Sequence, residues 1–394
     1  MRILALAALL LLADAPPTVP VASRDPGVVR LAADAEARWV DFTLTPGNQI
    51  RFDMAVNGRP VSAILDTGVS FSLLSRSSPV TRGAAIVPGG QASAIGGAVT
   101  IGWMPTRSLT LGGLSRRGGG LAVATLPALA TGSAESVDML VGRDLLAGQA
   151  LDIDYAAHRF RLIRSGRMPF PGRIAPLSIS PTHAVYQSAI TLGTKRFSPM
   201  IVDTGDGSSM TITEAEWRSA GLARLPRTTA IAFGLAGPVV TGLAIVPSVR
   251  LGELEAHDVE MRIEPAGGFS ETIGVAGRIG TGFLSRYRVL LDPRAGRMVL
   301  SPRPGLPPVL RSTSGLLLGL ERDRLKVLHV MRGGPAAAAG WAIGDTICAV
   351  DGQPIGPGYT SSPQARWSAG TPGTTVMLTP CGGKPRRLVL RRFY

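Results

Sequence analysis

Lysine is nearly absent from this chain. Lys195, Lys326 and Lys384 are the only ones among 41 basic residues, so arginine carries almost all of the formal charge of +14. The arginines are scattered and aromatics make up only 5% of the chain, so no basic stripe with interleaved rings forms. A nucleic-acid partner is therefore not expected. Histidine is scarce as well. His158, His183, His257 and His329 are dispersed without metal-ligand spacing and read as surface or strand-end residues, so no metal and no cofactor is expected. There is no Gly-x-Ser-x-Gly elbow and no phosphate loop. The glycine-rich Gly277-Arg278-Ile279-Gly280-Thr281-Gly282 precedes no long helical pattern.

Long apolar runs are also lacking. Ile3 to Leu12 is too short to span a bilayer, and no later stretch is long and apolar enough. With Arg2 before it and Ala13-Asp14-Ala15 after it, the run reads as a secretory signal over residues 1–15; an uncleaved N-terminal anchor is the alternative. The mature chain is then expected to be secreted or periplasmic, with no transmembrane helix. The two cysteines, Cys348 and Cys381, both lie in the last segment. An oxidising compartment permits a bridge, but sequence cannot show that the two Cα atoms approach, so bonded and free forms both stay open.

Glycine (49) and proline (31) are abundant, and apolar residues (45%) far outnumber charged ones (17%). That composition predicts a folded, mainly β chain of short strands and turns. At 394 residues it is long enough for two or three domains. Residues 16–45 are rich in Pro, Ala and Arg and are expected to form a tether. Arg51 to Val56 and Pro60 to Leu65 flank Asn57-Gly58, which predicts a hairpin because both central residues of a type I′ turn need φ > 0. The hairpin delivers Asp66-Thr67-Gly68 at a strand end.

That triplet returns as Asp203-Thr204-Gly205 behind Met200-Ile201-Val202. Asp66 and Asp203 lie 137 residues apart, Gly142 and Gly280 lie 138 apart, and so do Asp154 and Asp292. A near-constant shift across three landmarks implies a duplication into lobes at 46–170 and 171–301. Each unit is domain-sized, unlike the repeats of about 20 to 50 residues in solenoids.

Two acids at equivalent positions of a duplicated frame can meet across a pseudo-two-fold axis. Held close together they cannot both ionise, so the pair shares a proton and provides a base and an acid at one pH. The base takes a proton from water, which attacks a carbonyl; the acid protonates the carbonyl oxygen and then the leaving group. Thr67 and Thr204 are expected to hydrogen-bond between the two loops and stiffen them. Gly68 and Gly205 let the backbone turn sharply beside the acids.

On these motifs the two halves resemble aspartic peptidases of the retroviral-protease and pepsin superfamily, in particular bacterial retropepsin-like proteins with both lobes in one chain. The resemblance spans about residues 46–301. It includes a hydrophobic-hydrophobic-Gly element, Leu140-Val141-Gly142 and, less cleanly, Arg278-Ile279-Gly280, to which the family assigns a structural place behind the site. It implies catalytic roles for Asp66 and Asp203, a peptide or unfolded-protein substrate, and glycine-rich flaps at Gly96-Gly97 and Gly234 to Gly237. No tyrosine falls between Gly68 and Tyr155, so the flap tyrosine of pepsins is missing. Asp206 is unusual after the second triplet. A third carboxylate facing inward would raise its neighbour's pKa, and it is expected instead to turn to solvent or cap the following turn. Asp206 and the atypical flaps keep a second reading open, that of a catalytically silent peptide-binding or scaffold protein of the cell envelope.

Residues 302–314, with Pro302, Pro304, Pro307 and Pro308, predict a semi-rigid linker. The remainder, 315–394, resembles a PDZ domain through Gly333-Gly334-Pro335, Gly344-Asp345 and Asp351-Gly352. The resemblance implies a peptide-binding loop at Leu317-Leu318-Gly319-Leu320, binding of protein C-termini, and a flanking helix capped by Ser362.

Overall fold

The computed structural model describes residues 26–131, 136–146 and 148–394. The expected secretory signal (1–15) lies outside the described residues. The protein is mainly β, its strands arranged in four sheets.

The first sheet has 11 strands and is built around the hairpin Ile50–Val56 and Arg59–Leu65. Ile50, Phe52, Met54 and Val56 are buried and alternate with more exposed residues, the period-2 signature of a strand covered on one face. Asn57 (φ 53°) and Gly58 (φ 78°) form the turn with both φ positive, as expected. Towards its end Arg59–Leu65 becomes buried at every position, because Met139–Val141 joins it in parallel, with Leu140 opposite Ile64 and Val141 opposite Leu65. Leu73–Ser75 then runs antiparallel on the other side of Met139–Val141.

An eight-stranded sheet repeats this plan. Lys195–Asp203 pairs in parallel with Gly277–Gly280, and Met210–Thr213 returns antiparallel to Gly277–Gly280. The two halves meet in a third, six-stranded sheet, where Ala150–Asp154 pairs with Tyr287–Asp292. Its register places Leu151 opposite Leu291, Asp152 opposite Leu290 and Ile153 opposite Val289. Moving each residue by 138 turns the first of these pairs into the last, so the register is its own image. A pseudo-two-fold axis therefore passes through the Asp152–Leu290 pair. Buried Asp152 is neutralised there by Arg161 (2.9 Å) and Arg288 (3.0 Å). One apolar core, with Phe52, Phe160, Trp217 and Tyr287 among its members, runs through both halves and the shared sheet.

The expected tether (16–45) needs correction over residues 26–45, its first part (16–25) lying outside the described residues. Val28–Leu31 pairs with Leu114–Arg117, Val40–Asp41 with Arg159–Ile163, and Thr43–Leu44 with Ile50–Val56. Trp39 lies beneath the guanidinium groups of Arg159 (4.3 Å) and Arg161 (4.2 Å). Strand pairing, the burial of Ala35 and Phe42, and the packing of half-buried Val29, Leu31, Val40 and Leu44 on the core outweigh the loop-like composition around them.

Residues 303–315 contain no helix or strand. The last sheet, of six strands, has its own core around Trp341, Trp367 and Leu378. Cys348 and Cys381 are bonded, their Cα atoms 5.0 Å apart. Leu317, Leu318, Gly319 and Leu320 do not form a loop; they belong to Leu316–Glu321, an outermost strand of this sheet paired with Arg324–Val330. Leu317 (40%) and Leu320 (43%) face solvent while Leu316 is buried, and the pairing register shifts between Leu317 and Leu318. Pro363–Ala369 is a 3₁₀ helix, and the Ser362 hydroxyl donates to Tyr359 O instead of capping it. This module rests on the second half: Thr228 Oγ1 donates to Arg332 O (2.8 Å), and Thr229 Oγ1 lies 2.9 Å from His329 Nε2. No helix of the described residues is long and apolar enough to cross a membrane.

Candidate active site

Each Asp-Thr-Gly leaves the buried end of its strand, and the two loops meet. The Thr67 hydroxyl donates to Val202 O (2.6 Å) and accepts from the Thr204 N–H (3.0 Å). The Thr204 hydroxyl does the same in reverse, donating to Leu65 O (2.7 Å) and accepting from the Thr67 N–H (3.1 Å). Both threonines are fully buried, so these four bonds satisfy groups that water cannot reach. Gly68 N–H donates to Asp66 Oδ1 (3.0 Å), and Gly205 N–H to Asp203 Oδ1 (2.9 Å).

The glycines have a steric reason. A Cβ on Gly68 would lie 2.3 Å from Asp203 Cγ, and one on Gly205 would lie 2.3 Å from Asp66 Cγ. Each carboxyl therefore sits on the other loop's glycine. Asp66 and Asp203, each only 8% exposed, are brought together. Burial, then the charge of Asp203 and a hydrogen bond with it, hold the Asp66 carboxyl well above the usual range. Burial and then the charge of Asp206 push Asp203 up to about 6, with Arg278 pulling the other way.

Asp206 does not turn to solvent. One oxygen caps the following turn, accepting from Ser208 N–H (2.9 Å) and Ser208 Oγ (2.6 Å). The other is 2.9 Å from Arg278 Nε. Burial opposes its ionisation, but Arg278 and Ser208 hold its pKa below the usual value. Arg278 also binds Glu264 (2.7 Å) and Ser270 Oγ (2.9 Å). The arginine that blurred the second hydrophobic-hydrophobic-Gly element is thus the buried counter-ion of the unusual aspartate.

Two hairpins cover the acids, Val87–Ala94 with Gly97–Pro105 and Arg227–Gly234 with Gly237–Leu251. Their tips touch. Ala236 N–H donates to Ile95 O (3.2 Å), and a Cβ on Gly234 would lie 2.1 Å from the same oxygen. Gly96, Gly97 and Gly237 have φ of 94°, 137° and 121°, which favour glycine at both tips. Below them lies a cleft of about 590 Å³ that reaches Asp66 and Asp203 and is walled by Val69, Leu73, Trp103 and Phe233. Four further residues were not legible as site residues in sequence. Gln49 Nε2 reaches across to Gly205 O (2.9 Å), bracing the second loop from the first half. The Ser70 hydroxyl donates to His183 O, and His183 lines the cleft from a turn. Asp144 holds Ser72 through its N–H (2.8 Å) and hydroxyl (2.7 Å) behind the first loop. Gln49 and Ser70 stand in no recognisable pattern, whereas Asp144 follows Gly142-Arg143 directly. Leu317 to Leu320 lie in the separate C-terminal sheet and take no part in this cleft. Among the described residues no cluster of His, Cys, Asp and Glu is arranged to hold a metal.

No curated protein matches this chain. Residues 52–145, which carry Asp66, the first tip hairpin and Leu140-Val141-Gly142, match the family model described as aspartyl protease, and the match supports a peptide-hydrolysing family for this part of the chain.

Proposed function

We propose that the protein is an exported aspartic endopeptidase in which Asp66 and Asp203, one from each lobe, share a proton and activate one water. The observation that carries this reading is the reciprocal threonine bonding, which sets each carboxyl against the other loop's glycine in a buried cleft. With Asp203 ionised and Asp66 protonated, Asp203 takes a proton from the water as the oxygen attacks the peptide carbonyl. Asp66 gives its proton to the carbonyl oxygen. Collapse of the tetrahedral intermediate then passes a proton to the leaving amine. The cleft suits an extended chain held beneath both tips, and enclosure strengthens each interaction at the acids. Export rests on Arg2 and Ile3 to Leu12 alone.

The C-terminal module is proposed to be a PDZ domain that takes protein C-termini along its outer strand Leu316–Glu321, where Leu317 and Leu320 are exposed. The motive for a silent binding protein weakens, because Asp206 is committed to Arg278 and Ser208. Replacing Asp66 or Asp203 by Asn should lower cleavage of an unfolded protein by at least about 10³-fold with the fold retained by circular dichroism. Cleavage that survives both substitutions defeats the assignment.

A further inference from the structure

The two halves are alike in backbone but opposite in chemistry at matching positions beside the acids. Val69 and Asp206 are each third after the catalytic Asp. Leu140 and Arg278 each stand two before the motif glycine, and each is paired with an equivalent residue, Leu73 or Thr211. Parallel pairing to the same strands matches Ala122 with Arg262, and Ala124 with Glu264. In the first half these positions are apolar, and Ala122, Ala124 and Leu140 form one buried cluster with Leu73 and Leu126. In the second half they are polar or charged.

The cleft follows that difference. Leu73, Ala122 and Leu140 line it, and their counterparts Thr211, Arg262 and Arg278 do not. Arg278 and Glu264 (each 3% exposed) form a buried ion pair there, and Phe269, which lines the cleft with Asp206, lies over the guanidinium at 5.4 Å. The tip of the second hairpin completes the asymmetry, because Leu235 packs against the apolar cluster of the first half.

We infer that the cleft has one deep apolar side pocket, in the first half, while its mirror pocket is plugged by the Asp206–Arg278–Glu264 network. The substrate class that follows is a peptide with a large aliphatic or aromatic residue on one side of the scissile bond only. A large apolar residue on the other side meets a closed, desolvated ion network that opens only by leaving buried charges unpaired. This inference rests on the peptidase reading and makes Leu73 and Leu140 specificity-determining residues.

The test uses the full chain and three alanine-flanked octapeptides with a reduced central amide, carrying Leu–Ala, Ala–Leu or Leu–Leu around it, with affinities measured by calorimetry. One of the two single-leucine peptides should bind at least about tenfold tighter than the other, and Leu–Leu should be no tighter than the better of them. Leu73→Thr should weaken the preferred single-leucine peptide and Leu–Leu, and leave the other single-leucine peptide unchanged. The triple graft Asp206→Val, Glu264→Ala, Arg278→Leu should bring Leu–Leu to the tightest place; the wild-type comparison stands if that graft does not fold. Equal binding of the single-leucine peptides with Leu–Leu tightest overturns the asymmetric pocket and leaves the peptidase reading intact. Binding of none of the three defeats the peptidase reading and this inference together.

Discussion

Asp203 and Asp66 set the pH behaviour at the scale of single residues. Both acids have raised pKa values, Asp203 to about 6 and Asp66 well above the usual carboxyl range, so the one-proton pair forms as pH rises through about 6. Activity, read as kcat/KM, should climb as pH rises through about 6 and fall again where Asp66 ionises. Asp206→Asn removes a charge that raises Asp203 while leaving the arginine that lowers it, so the climbing limb should move to lower pH. A limb that stays in place contradicts the electrostatic account. The same shift carries a stability consequence. A carboxyl with a raised pKa favours the folded state below its unfolded value, and that contribution is lost as pH rises through about 6. Asp203→Asn should therefore stabilise the protein at pH 8 by on the order of 3 kcal/mol in chemical denaturation, and a destabilised variant contradicts this. The two aspartates were legible in sequence because the triplet is local and repeated. The Asp206–Arg278–Glu264 cluster was not, because its members are far apart in the chain and only strand pairing joins them.

Among the elements, the hairpin tips and the bridged C-terminal strands are the most exposed to single changes. Gly234→Ala puts a methyl group into Ile95 O and should part the tips. The expected result is a rise in KM with little change in melting temperature, and an unchanged KM means that the tips need not meet. Reduction of Cys348–Cys381, which closes 33 residues, should cost the C-terminal sheet about 4 kcal/mol by the chain-entropy relation. A C-terminal unfolding transition unmoved by dithiothreitol contradicts that. Elements with a strong local code were readable. Asn57-Gly58 forced its turn, and the glycine-rich flaps that the resemblance implied at Gly96-Gly97 and Gly234 to Gly237 fall at hairpin tips. The strand Val28–Leu31 was not readable, since four residues of weak alternation in a Pro- and Ala-rich background carry little signal without Leu114–Arg117 beside them. The outer strand Leu316–Glu321 was expected as a loop because the resemblance implies a peptide-binding loop there, while pairing with Arg324–Val330 makes it a strand.

For the whole molecule, the duplication explains why one site is assembled from both halves of the first 300 residues. The shared sheet fixes the pseudo-two-fold axis at Asp152–Leu290, and the crossed Thr67 and Thr204 bonds hold the two loops in register. Thr204→Ala leaves buried Leu65 O and Thr67 N–H without partners, so it should cost about 2–4 kcal/mol and most of the activity, while Thr204→Ser should retain both. The most direct test of the central claim is neutron diffraction from crystals of the deuterated protein at about pH 7. One deuteron between the facing oxygens of Asp66 and Asp203, with a water bound to both carboxyls, is the predicted result. Two bare carboxylates, or two separately protonated acids with no shared water, would contradict it.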